Sequence, residues 1–174
     1  MVGIILYRPE KPGNVGNIIR TCMASEAKLY IIGPLTFSLT EKELQRAGMD
    51  YIKESDFVIY KDYDEFLKDF SDKNIYYVTR YSNKVYSSFD YSNIEEDIYF
   101  MFGRESTGIP HNILKENIDK TCRIPMTISA RSLNLSNCVA LVLYECLRQR
   151  KFYGLATYET IKGEDFLEKE FKND

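Results

Sequence analysis

Arg123-Ile124-Pro125-Met126-Thr127-Ile128-Ser129-Ala130-Arg131-Ser132-Leu133-Asn134-Leu135-Ser136-Asn137-Cys138-Val139-Ala140-Leu141-Val142-Leu143-Tyr144 is the stretch around which the rest of the chain is arranged. Residues 123–126 read as an extended segment and residues 127–131 as a small polar loop. Ser132, Asn134 and Ser136 are each able to cap a helix, because a short side-chain oxygen accepts from the unpaired amides of a first turn. The body from Cys138 onward is apolar on every face, so the sequence places this helix in the core or against another chain. A helix start rich in small polar groups, following a strand, is a place to hold a ligand. A plain, well-capped strand-loop-helix connection accounts for these residues equally well.

Outward from that stretch, strands and helices alternate. Apolar, branched runs mark strands at Val2–Tyr7, Leu29–Ile32, Phe57–Tyr60, Ile75–Val78, Ile98–Phe102 and Thr121–Met126. Helices are expected over Asn17–Ala24, after the capping box Thr40-x-x-Glu43 as far as Gly48, after Asp62-x-x-Glu65, from Pro110, and from about Asn134 to Arg150. This alternation predicts an α/β fold, a mostly parallel sheet with helices on both faces, whose ligands bind beyond the carboxyl ends of the strands. Three loops fall at that edge: residues 8–17, 103–110 and 127–134. The polar loop Tyr81–Asp97 has no evident role.

The 174 residues suit one domain with a single substantial core, assigned to residues 1–154, followed by an acidic tail or helix at 155–174. Residues 159–174 hold six acids against three lysines; the remainder balances at 20 basic and 20 acidic residues. Bulk charge therefore does not demand a nucleic-acid partner, though a local basic face could bind one. No apolar run is long enough to span a membrane and no signal peptide is visible, so a cytoplasmic location is expected. Cys22, Cys122, Cys138 and Cys146 lack metal-ligand spacing, and His111 is the only histidine. A metal site or a Ser/His/Asp triad is therefore not expected.

In the first loop, Gly16 allows close backbone approach, Asn17 can cap the helix, and Arg20 is placed to grip a phosphate or stand as a solvated surface arginine. In the second, Gly103 and Gly108 flank Glu105. Neither a phosphate-loop lysine nor a Gly-x-Gly-x-x-Gly follows any strand, which disfavours a flavodoxin-like or dinucleotide-binding domain. Taken together, Asn14-x-Gly16-Asn17-Ile18-Ile19-Arg20, Phe102-Gly103-x-Glu105-x-x-Gly108-Ile109-Pro110, and Arg123-Ile124-Pro125-Met126 leading to Arg131-Ser132-Leu133-Asn134-Leu135-Ser136-Asn137 resemble the three ordered motifs of the SPOUT RNA methyltransferases. Within that superfamily the chain is most similar, over residues 2–153, to the compact tRNA wobble-nucleotide ribose 2′-O-methyltransferases.

The resemblance implies a C-terminal deep trefoil knot, which the general rule of unknotted connections would not suggest. It implies a homodimer joined through the closing helix, and S-adenosylmethionine (SAM) as cofactor. The cofactor contacts it implies are Val78 or Thr79, Gly103, Ile124, Ser132 and Leu133. The active-site positions are Asn14, Arg20, Glu105 and Asn134, with Ser132 beside them. The expected reaction is methyl transfer to the ribose 2′-hydroxyl of cytidine or modified uridine 34 in the tRNA anticodon loop. Glu105 is expected to orient Arg20 or Asn14, and the tail to pack away from the site. Competing expectations are a SPOUT enzyme acting on another tRNA position or on rRNA, and a non-catalytic RNA- or cofactor-binding module.

Overall fold

A computed structural model describes residues 1–40 and 57–170. Six strands form one sheet: β1 (Val2–Tyr7), β2 (Lys28–Ile32), β3 (Phe57–Tyr60), β4 (Ile75–Val78), β5 (Ile98–Phe102) and β6 (Thr121–Cys122), in the order β3-β2-β1-β5-β4-β6. Every pairing is parallel, with Ile4 of β1 opposite Leu29 on one side and Phe100 on the other. Among the described residues, five α-helices accompany it: α1 (Pro12–Ser25), α2 (Tyr63–Phe70), α3 (His111–Glu116), α4 (Leu135–Gln149) and α5 (Phe166–Glu170).

All six residues of β1 are buried because both faces of the sheet are covered. Successive side chains alternate between faces. Val2, Ile4 and Leu6 join Val15, Ile18, Ile19 and Cys22 of α1 and Val139, Val142, Leu143 and Cys146 of α4. Ile5 and Tyr7 point the other way, to Phe66 and Phe70 of α2 and Ile113 and Leu114 of α3. Each such fully buried aliphatic contributes about 1.5–3 kcal/mol. Burial holds the thiols of Cys22 and Cys122 up at about 12 and that of Cys146 at about 11, so they pack as small hydrophobes.

Several sequence expectations need correction. The first helix begins at Pro12, five residues before Asn17, because proline's fixed φ and missing amide suit a first turn. Asn17 is therefore no cap; it lies exposed within α1, and Gly16 is buried in the same helix. Pro110 is the N-cap of α3 rather than its first residue. The last strand stops at Cys122, with Arg123 making one further bridge to Val85; Pro125 has no amide to extend a ladder. The helix expected between Thr40 and Gly48 lies outside the described residues.

Asp62 does cap α2, accepting from the Glu65 amide at 2.9 Å, while Glu65 reaches back to the Lys61 amide at 2.6 Å. The closing helix is not buried on every face. Asn137, Leu141, Tyr144 and Arg148 form its exposed stripe, with Leu141 45% and Tyr144 43% exposed within the single chain.

The segment 81–97 proves to be tied to the end of α4. Gln149 accepts from the Tyr91 amide at 2.7 Å and donates to the Phe89 carbonyl. Buried Arg150 donates to the carbonyls of Tyr91 and Glu96. Tyr91 is fully buried, and its hydroxyl donates to the Tyr86 carbonyl at 2.6 Å.

Candidate active site

From β1 the chain runs outward through α1 to β2; from β5 it runs the opposite way, past β4, to β6. The loops after these two adjacent strands diverge and leave a crevice between them, the switch point where open parallel sheets bind ligands. A cavity of ≈ 1010 Å³ opens there, at the upper end of the size range of cofactor sites.

Glu105, on the loop after β5, bridges the crevice. Its carboxylate accepts from the backbone amides of Glu10 at 2.8 Å and Lys11 at 3.2 Å, and from Asn14 Nδ2 at 2.8 Å. Asn14 is buried on the first turn of α1, and its Oδ1 accepts from Asn134 Nδ2 at 2.9 Å. Asn134 Oδ1 caps α4, accepting from the Ser136 amide at 2.9 Å and its hydroxyl at 2.6 Å. The capping positions read from the sequence thus resolve to Asn134, and Glu105 orients Asn14. One hydrogen-bonded chain, Glu105–Asn14–Asn134, joins all three loops and assigns both amide orientations.

A second bridge escaped the sequence reading. Glu10 accepts from the Ser106 amide at 2.9 Å and the Ser106 hydroxyl at 2.8 Å, and lies 3.4 Å from Arg104 Nε. The Ser106 hydrogen bonds hold the Glu10 carboxyl below its ordinary range, with the Arg104 charge adding to them. Arg104 Nε is buried without a hydrogen-bond partner and the residue lines the cavity. No local signal could have revealed a contact between Glu10 and Ser106, 96 residues apart.

The loop after β5 folds tightly. Arg104 and Gly108 exchange backbone hydrogen bonds of 3.2 and 2.9 Å, and Gly108 takes φ +74°. A Cβ on Gly103 would stand 2.1 Å from the Gly108 carbonyl carbon and the Ile109 nitrogen, so only glycine fits.

Val78, Thr79, Gly103, Glu105, Ile124, Ser132, Leu133, Asn134 and Asn14 all line this cavity. Arg20 does not; it sits on the exposed side of α1. Among the described residues, the lining also carries five cations, Arg8, Lys11, Arg80, Arg104 and Arg131, against the single carboxylate of Glu105. That is the local basic face which the overall charge of −3 conceals. Apolar Val78, Ile124 and Leu133 beside polar Thr79, Ser132 and Asn134 suit an organic molecule with one flat apolar part and one polar part. Among the described residues, no cluster of His, Cys, Asp or Glu could hold a metal ion, and none of residues 151–170 lines the cavity.

The sheet is thus all parallel, with a basic, cofactor-sized crevice at its switch point. The chain belongs to the SpoU rRNA methylase family, whose model matches residues 1–144. It is 44% identical over 153 residues to a putative tRNA (cytidine(34)-2′-O)-methyltransferase of Geobacillus stearothermophilus, covering 88% of this chain and 98% of that protein. A solved structure concerned with 2-OH methylation of C/U34 on tRNA superposes with a TM-score of 0.77 at 33% identity, covering 87% of this chain and 97% of that one. The SpoU methyltransferase AviRb of Streptomyces viridochromogenes, solved in complex with AdoMet, superposes with a TM-score of 0.68 at 26% identity, covering 86% of this chain and 60% of that one.

Proposed function

We propose that this protein is a SAM-dependent methyltransferase that modifies the ribose 2′-hydroxyl of nucleotide 34, a cytidine or modified uridine, in tRNA. The observation that carries this reading is the Glu105–Asn14–Asn134 chain closing three loops around one cavity, in a chain 44% identical to a relative described as acting at cytidine 34. SAM supplies an electrophilic methyl group on a sulfonium.

The protein's task is then alignment and charge. Val78 or Thr79, Gly103, Ile124, Ser132 and Leu133 hold the cofactor, the apolar members through backbone groups and contact area. Asn134, locked by Asn14, positions the ribose. Holding oxygen and methyl in line accounts for several kcal/mol of barrier lowering, on the order of that seen in well-oriented intramolecular reactions. A guanidinium does not yield its proton near neutral pH, so Arg20 stabilises the oxygen and the neighbouring phosphate electrostatically.

Because Arg20 lies outside its own chain's cavity, it serves a partner subunit's cavity in this reading. The exposed stripe bearing Leu141 and Tyr144 is the surface for that homodimer. The same reading keeps the trefoil knot through residues 123–134. Residues 1–154 form the catalytic domain and residues 155–174 a tail turned away from RNA, acting in the cytoplasm.

The test is nucleoside mass spectrometry of tRNA incubated with the protein and SAM. A ribose-methylated cytidine or uridine is expected; a methylated base, or no product, refutes the reaction. In a parallel incubation with rRNA, ribose methylation there and none on tRNA would replace the tRNA substrate with the ribosomal one that the family's description names.

A further inference from the structure

A second cavity of ≈ 300 Å³ shares Thr79, Tyr81 and His111 with the first. Its other walls are Leu114, Lys115, Ile118, Ser82 and Thr121. Apart from the shared Thr79, the reaction described above uses none of its walls. Its chemistry is specific in three respects. First, it is largely apolar yet open: Tyr81 is 57% and Ile118 65% exposed. A hydrophobic recess left uncovered beside a reaction cavity is more than a scattered surface apolar residue. Second, its border with the reaction cavity is aromatic. Tyr81 and His111 meet edge to face with ring centroids 5.2 Å apart. Arg80 sits over the Tyr81 ring at 4.9 Å and donates to its hydroxyl at 3.0 Å. Third, among the described residues its only charged liner is Lys115, with Arg80 at the border, and no carboxylate lines it.

Flat apolar walls, an exposed aromatic pair and adjoining cations make up the chemistry by which proteins take unpaired bases of single-stranded RNA. We propose that this recess receives the nucleobase of a nucleotide flanking the methylated one. The base packs against the Tyr81–His111 wall over Leu114 and Ile118, while Arg80 and Lys115 meet the adjoining phosphates. The recess shares Thr79, Tyr81 and His111 with the reaction cavity, so a base seated there fixes the distance along the strand to the ribose presented for reaction. It acts as a second anchor for the substrate loop. This inference rests on the proposed RNA substrate and adds to it the site that sets register.

The test compares wild type, Tyr81→Ala and Tyr81→Phe for binding of a synthetic anticodon stem-loop and of unfractionated tRNA, by fluorescence anisotropy at fixed salt. SAM binding is followed separately by calorimetry. Loss of one base stack predicts roughly tenfold weaker RNA binding by Tyr81→Ala. Tyr81→Phe should stay near wild type, and SAM affinity should be unchanged in both. Stem-loops carrying an abasic nucleotide on either side of position 34 complete a cycle. One of them should weaken wild-type binding by a similar factor and have no further effect on Tyr81→Ala. Equal RNA binding by wild type and Tyr81→Ala, or full additivity in the cycle, overturns the recess as a base site and leaves the proposed reaction standing. Failure of the wild type to bind either RNA overturns the proposed function and this inference with it.

Discussion

Replacing Glu105 by glutamine perturbs the bridge on which the site depends while changing almost no volume. Oε1 accepts from both Lys11 N and Asn14 Nδ2, and Oε2 accepts from Glu10 N. The amide keeps its one oxygen at the position serving two donors and turns its NH2 toward the Glu10 amide, donor against donor. One charge-assisted hydrogen bond is lost outright, about 1.5–3 kcal/mol, and the other two fall toward neutral strength. Because the group is only half-buried, water recovers part of this, leaving a net cost of about 2–3 kcal/mol. For a chain of this length that lowers the melting temperature by roughly 5–10 °C. Asn14 loses its tether and so, through it, does Asn134. Turnover should fall on the order of a hundredfold, as expected when reacting groups lose alignment. Thermal melts at one fixed protein concentration and single-turnover methylation measure both. Adding Asn14→Ala to Glu105→Gln should cost little more, because the two residues act as one unit. A variant that melts within 1 °C of wild type (an approximate limit of resolution, ~0.3 kcal/mol) and turns over at the wild-type rate would refute the bridge.

Other expectations follow from the same geometry. Gly103→Ala forces a Cβ into the backbone of Gly108 and Ile109, and should cost about 3 kcal/mol or more in urea denaturation. Glu10 titrates below its ordinary value of 4.5 in the folded state, so its contribution to stability is fully present above 4.5 and is lost as pH falls below it. The difference in melting temperature between wild type and Glu10→Gln should therefore be constant above that pH and shrink beneath it. Mixing Arg20→Ala with Asn134→Ala subunits, each inactive alone, should restore roughly a quarter of wild-type activity, since half the dimers are mixed and hold one intact site. No recovery after subunit exchange would place Arg20 outside the partner's site.

Most of the sheet was legible because its strands are short branched runs bounded by turns, a pattern that survives without tertiary information. Asn134 and Asp62 could be recognised as caps because capping is a local affair of a few residues. What escaped the sequence depends on partners far along the chain. Pro12 offered a local signal for the true start of α1, but the glycines and Asn14 beside it read as loop until packing of Val15 and Ile18 settled the matter. Segment 81–97 looked structureless because its order comes from Gln149 and Arg150, more than 50 residues away. The pairing of Glu10 with Ser106 and the second cavity behind Tyr81 have the same origin. Arg20 lies outside the cavity of its own chain, and in the proposed homodimer its role would be a matter of assembly rather than of local sequence.

The most direct measurement is fragment mass spectrometry of nuclease-digested tRNA after reaction with the protein and SAM. A methyl group on the ribose of nucleotide 34, at no other position and formed roughly a hundredfold more slowly by Glu105→Gln, is the predicted result. Ribose methylation elsewhere in the tRNA, or methylation of nucleotide 34 by the Glu105→Gln variant at the wild-type rate, would contradict the account.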